Sequence, residues 1–206
     1  MNQTESGATL ALVWENLAIP FKIETDLVNI QLAIFRRELT GEKSFNPGWQ
    51  SWDQAAQYCL QKNTNLEEAL RWAETASGSN FPGEANFTTL STKAGILKAL
   101  NRNEEAEQAM KAALPMGKMT EIHGYARQLL NQKKINEAVE AFKLNYSKFP
   151  NQFTTNVGMA RAHSALGEYK KALDFAKKAL AQAPDPGNKG NVENMIKNLE
   201  AGKNIN

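Results

Sequence analysis

The stretch ALGEYKKALDFAKKALAQAP, residues 165–184, decides how the fold is read. Ala172, Ala176 and Ala179 recur at helical spacing on one stripe, Gly167 stands before them, and Pro184 closes the run. A helix supplying a core by itself would carry Leu or Phe on such a stripe. Alanine there suits a close crossing with a second helix, because a bulky side chain would hold the two axes apart. Gly167, just after Leu166, marks a helix stop, since glycine accepts the left-handed cap at little cost. Pro150 and Pro184 end helices because proline lacks the N–H and clashes with the preceding turn.

The pattern repeats. Moved back by 34 residues, the stretch falls on NQKKINEAVEAFKLNYSKFP, residues 131–150, with Ala172 on Ala138, Ala176 on Phe142, Lys177 on Lys143 and Pro184 on Pro150. In the preceding helix, Ala160-Arg161 falls on Ala126-Arg127. A further copy lies 32 residues earlier, where Ala94 precedes Ala126, Ala106 precedes Ala138, and Ala113 corresponds to Asn145. A weaker copy occupies residues 51–76, with Ala69 and Ala76 in the places of Ala106 and Ala113.

These positions, with Phe142, Gly167 and Tyr169, resemble the tetratricopeptide repeat, a helix-turn-helix unit of about 34 residues. The resemblance covers residues 50–184. It departs from the pattern at LPMGKMTE, where the second unit lacks its proline, and at the longer loop SGSNFPGEANF after the first. The fold it implies is mainly α, an α-α superhelix of about four helix pairs. Ala126 would face Ala138, and Ala160 would face Ala172. Leu129, Ile135, Phe142, Leu166, Tyr169 and Leu173 would fill the gaps between pairs, and stability would come from nearest-neighbour stacking.

The ends differ in kind. After the breaker cluster APDPGNKGN, Val192, Met195, Ile196 and Leu199 keep helical spacing, which predicts a capping helix over 189–202. Near the N-terminus, Leu10, Leu12 and Trp14 alternate with other residues, as do Ile19, Phe21 and Ile23. This predicts a small β-hairpin within residues 1–24, turning near Glu15-Asn16. Residues 25–41 read as a linking helix, capped by Asp26 and stopped by Gly41, and 42–52 as a loop carrying aromatic anchors. The segments LVWENLAIPFKI and W..AA.YCL..N.NLEEAL.W, in that order and spacing, resemble a bacterial family of unknown function that joins a β-sandwich to C-terminal helical repeats. That likeness implies a chain holding the last strands of the sandwich and the whole helical part. It also implies a bacterial origin, leaves room for an exported parent protein, and brings no catalytic residues.

Composition narrows the function classes. The chain has 206 residues, 22% of them charged, with a net charge of +2. No global field selects nucleic acid or anionic lipid. The hydrophobic fraction of 42% exceeds that of a disordered chain. The single Cys59 excludes an intrachain disulfide and a cysteine-based zinc site, and its setting, AAQYCL, reads as buried packing. The apolar run from Ala8 to Trp14 is too short to span a membrane. The compartment stays open.

No nucleophile elbow, phosphate loop or dinucleotide fingerprint is present. The expectation is therefore a non-enzyme with no cofactor and no metal. His123 is expected toward a groove and His163 in packing; Trp49, Trp52 and Trp72 read as core. Lys170, Lys171, Lys177 and Lys178 read as a solvated face, and Glu104, Glu105 and Glu107 as acids at a helix start. In tetratricopeptide units the first helix of each pair lines the concave face. Here it would present Gln54, Tyr58, Ser91, Lys98, His123, Arg127, Asn131, Thr154, Val157 and Arg161. Arg127 and Arg161 hold one repeat position, and such a pair could hold the carboxylates of an extended peptide. The alternative is solvated or internally paired arginines. The Lys/Asn clamp of the chaperone-binding subclass is not matched. The expected partner is thus a protein or peptide. A homodimer through Leu10, Leu12, Trp14, Ile19 and Phe21, bracing a missing β-sandwich, is the competing structural role.

Overall fold

A computed structural model describes residues 2–4, 7–41 and 48–206. It is mainly α with an N-terminal antiparallel sheet: β1 (Asn2–Thr4), β2 (Gly7–Trp14) and β3 (Leu17–Glu24), in that order across the sheet. Ten α-helices follow among the described residues: α1 (Leu27–Leu39), α2 (Trp49–Lys62), α3 (Leu66–Ala76), α4 (Phe87–Ala99), α5 (Asn103–Ala113), α6 (Met119–Asn131), α7 (Ile135–Lys148), α8 (Phe153–Ala165), α9 (Tyr169–Ala181) and α10 (Pro186–Glu200). None is long and apolar enough to cross a membrane. The chain divides into two compact units, Met1–Ala85 with Thr89–Ala109, and Asn86–Thr88 with Met110–Asn206.

One turn recurs at each helix-pair joint. The N–H of Thr64, Arg102, Lys134 and Glu168 donates to the carbonyl of Cys59, Leu97, Leu129 and His163 respectively, at 3.0, 2.8, 2.9 and 2.9 Å. Each bond closes over a residue in left-handed backbone: Asn63 (φ 48°), Asn101 (φ 62°), Lys133 (φ 62°) and Gly167 (φ 75°). This is the Schellman closure, which satisfies carbonyls that the helix end leaves unpaired. Only the last position carries the glycine that makes it readable; the others hold Asn or Lys in a conformation that costs a Cβ-bearing residue about 1–2 kcal/mol.

In the first unit, β2 and β3 pair Leu10 with Phe21, Leu12 with Ile19 and Trp14 with Leu17. Successive side chains alternate between faces, so these six share one face. The strands are longer than the alternation predicted, and the polar β1 had no apolar pattern to show it. Asp26 caps α1, its Oδ1 accepting from the Asn29 N–H at 3.0 Å. Arg36 on α1 donates twice to Glu68 on α3, at 2.9 and 2.6 Å, and this pairing holds the Glu68 carboxyl below its ordinary pKa. The expected loop over 42–52 lies outside the described residues at 42–47, and α2 already begins at Trp49. Ala55, Ala56, Ala69, Ala73 and Ala76 are fully buried between α2 and α3. Cys59 is buried as well, and burial pushes its thiol up to about 11, which leaves it an inert packing residue.

The second unit shows how the alanines work. Ala126 and Ala138 lie at 0% exposure in one core cluster with Leu129, Leu130 and Phe142. Ala160, Ala172, Ala176 and Ala179 lie at 0% in a second, with Val192, Met195 and Leu199 of α10. Helix α8 serves both, giving Ala162 to the first cluster and Ala160 to the second. At the position equivalent to Ala113 and Ala179, Asn145 is buried and spends its Nδ2 on the Met119 carbonyl at 2.9 Å. Phe142, which replaces a small residue, is accommodated by Gly158 on α8 of the next pair, where a Cβ would meet Phe142 Cδ1 at 2.7 Å. Two sequence expectations need correction. Leu166 is 46% exposed, because it caps α8 rather than filling a gap. The last helix starts at Pro186, not 189: Asp185 Oδ1 accepts from the Asn188 N–H at 2.8 Å, and proline is well tolerated at the first helical position.

The two related glycines 158 and 124 give a paired test. Gly158→Ala should lower the unfolding free energy measured by urea denaturation by about 1–3 kcal/mol through overpacking against Phe142. Gly124, where a Cβ would meet nothing within 4 Å, should gain about 0.5–1 kcal/mol on Gly124→Ala from helix propensity.

Candidate functional site

The sequence-predicted face divides between the two units. Gln54, Tyr58, Ser91 and Lys98 belong to the first, where Gln54 and Lys98 are exposed and Ser91 is half-buried. Tyr58 packs edge-on against Phe35 of α1, ring centroids 5.5 Å apart, so its ring is engaged in packing. His123, Arg127, Asn131, Thr154, Val157 and Arg161 all belong to the second unit, and there the structure builds a site.

Helix α6 carries His123, Arg127 and Asn131 four residues apart, hence on one stripe. Thr154, Val157 and Arg161 make the matching stripe of α8. His123 is half-buried, its ring edge-on to Phe142 with centroids 5.4 Å apart. Its Nδ1 is buried without a hydrogen-bond partner, and a Cβ at Gly158 would lie 3.4 Å from it. Burial pushes the imidazole down to about 4, helped by the charges of Arg161 and Arg127, with the Thr154 backbone acting in the opposite sense. His123 is therefore neutral at pH 7.

Arg161 is half-buried, while Arg127 and Asn131 are exposed. The guanidinium of Arg161 has its pKa pressed down by burial and then by the charge of Arg127. Its Nη1 donates to the Ile205 carbonyl at 3.0 Å, and its Nε is buried with no partner. Among the described residues, no carboxylate forms an ion pair with either arginine. Two cations and a buried imidazole thus share one face, and among the described residues no acidic side chain forms an ion pair there. Such an arrangement favours a ligand that brings negative charge and acceptor oxygens.

The other histidine is differently placed. His163 stacks on Phe175 at 5.4 Å and shares a hydrogen bond of 2.6 Å with Glu168, tying the α8–α9 turn. Lys170, Lys171, Lys177 and Lys178 are exposed, with Lys178 over the Phe175 ring at 5.0 Å. Among the described residues, no three His, Cys, Asp or Glu side chains gather as metal ligands. Ser164 and the segment Asn204–Asn206, which touch this face, were not foreseen: KNIN has no periodicity, and the predicted last helix stopped short of it. No protein-family model matches the chain, and no curated protein matches it.

Because the unfolded state protonates His123 near 6.5 and the folded state only near 4, the fold should lose stability as pH falls between those values. The loss is at most on the order of 3 kcal/mol. NMR titration of the His123 ring should give a midpoint near 4. A midpoint of 6.5 or higher would show the ring solvated and unopposed.

Proposed function

We propose that the helix pairs are tetratricopeptide-like repeats and that the α6/α8 face is a non-enzymatic binding surface for an extended, carboxylate-bearing peptide or protein segment. The recurring turn and the buried alanines at a 34-residue spacing support the repeat reading. The carrying observation for the site is that two like charges, Arg127 and Arg161, lie on one face with no acidic side chain ion-paired to either among the described residues, while Arg161 Nε is buried with no hydrogen-bond partner. A carboxylate placed between them would remove that repulsion and supply an acceptor to the orphaned Arg161 Nε. The reading assigns no reaction and no cofactor.

A defined probe tests it: fluorescence polarisation with a fluorescein-labelled, acetylated (Glu-Ser)4 amide and its (Gln-Ser)4 counterpart. The glutamate peptide should bind, and Arg127→Ala, an exposed change, should weaken it about 10–100-fold, the worth of a charged hydrogen bond. Equal binding of the two peptides, or no effect of Arg127→Ala, would refute the reading.

A second reading is favoured by the sheet. Every residue from Ala11 to Glu24 is exposed, including Leu12 at 67% and Trp14 at 78%, and the apolar cross-strand pairs share a face. Such a face invites self-association through a second copy. Sedimentation should then show a concentration-dependent dimer. Leu12→Lys/Ile19→Glu, which places an ion pair across the strands, should abolish it. A wild type that stays monomeric at high concentration would contradict this reading.

A further inference from the structure

Beyond α10 the chain reverses at Gly202 (φ 68°), where the Lys203 N–H donates to the Asn198 carbonyl at 2.9 Å. Residues 204–206 then lie along α8. Ser164 Oγ donates to Asn204 Oδ1 at 3.0 Å and accepts from the Ile205 N–H at 3.1 Å. Arg161 Nη1 donates to the Ile205 carbonyl, and Asn206 Nδ2 donates to the Arg161 carbonyl at 3.1 Å. The Ile205 side chain packs against the core cluster of Ala160 and Ala172. The contacts proceed from Ser164 to Arg161, toward the α8 end that carries Val157 and Thr154.

A main-chain N–H, a main-chain carbonyl and one apolar side chain are thus all engaged. These are the means by which folded domains hold extended peptides. The segment KNIN contains no acidic side chain. It satisfies Arg161 Nη1 but leaves Arg161 Nε and His123 Nδ1 orphaned. The geometry points to Asn204–Asn206 as a resident occupant of one end of the binding face. A partner segment engages the face by displacing it, with an aliphatic residue in the place of Ile205 followed by the acidic side chains that the resident lacks. This rests on the proposed peptide-binding role. Because the occupant is tethered, it competes at high effective concentration. The apparent affinity for a partner is reduced by the fraction of time the face is covered.

The test uses the full chain and a fluorescein-labelled acetyl-Asn-Ile-Glu-Glu-Ser amide. Asn204→Ala/Ile205→Gly, which loosens the tail, should bind it about tenfold tighter than wild type. In the wild type, saturating peptide should move the Ile205 methyl NMR signals to their unfolded positions. Arg127-dependent binding that is no tighter in the loosened variant, or that leaves the Ile205 methyls unmoved, overturns the resident-occupant inference while the binding face stands. Absence of binding to both proteins overturns the binding face, and this inference with it.

Discussion

Close approach of paired helices over alanine is the constraint on which the second unit depends. Ala126, Ala138, Ala160, Ala172, Ala176 and Ala179 are all completely buried. Small side chains bring the axes together but cover little apolar area, so no pair makes a sufficient core alone. The larger side chains come from neighbours: α8 contributes to the cluster of α6 and α7 and also to that of α9, and α10 closes the second with Val192, Met195 and Leu199. Where the rule is broken, a partner compensates. Phe142 is met by Gly158, and Asn145 turns its Nδ2 to the Met119 carbonyl, although its Oδ1 stays buried without a partner.

That packing has an electrostatic consequence. It puts equivalent residues of α6 and α8 on a common face, so that an arginine repeated at 34 residues becomes two like charges, and the pKa of Arg161 is pressed down by burial and then by the charge of Arg127. Repulsion of this kind persists when the surrounding fold over-determines it, and a ligand can exploit it. The same closeness dries His123 and removes its charge near neutrality. The face therefore offers two cations and a ring that is neutral at pH values well above about 4.

Much of this was legible in the residues. The alanine spacing, Gly167 and the two prolines pointed to mainly helical pairs, and alternation from Leu10 to Ile23 pointed to the hairpin. Arg127 and Arg161 stood out by their register alone. What was hidden had no periodic or compositional signal. The turns at Asn101 and Lys133 adopt left-handed backbone without glycine, β1 is wholly polar, and α10 starts inside what reads as a breaker cluster because Asp185 caps it. Tyr58 sat on the expected stripe, yet Phe35 of α1 gave it a packing partner that no local pattern specifies. The tail contacts to Ser164 and Arg161 span about forty residues of sequence, a separation at which periodicity carries no information.

The measurement that bears most directly on the close-crossing account is the stability of Ala172→Leu by urea denaturation. In an ordinary half-filled core, the added methyl groups would bury apolar surface and raise the midpoint. Here the crossing has no room, and the account predicts a loss of about 1–3 kcal/mol with an unchanged denaturant slope. A midpoint equal to or above that of the wild type would show that the α8–α9 axes are not held together by small residues, and the basis for the shared face would fail with it.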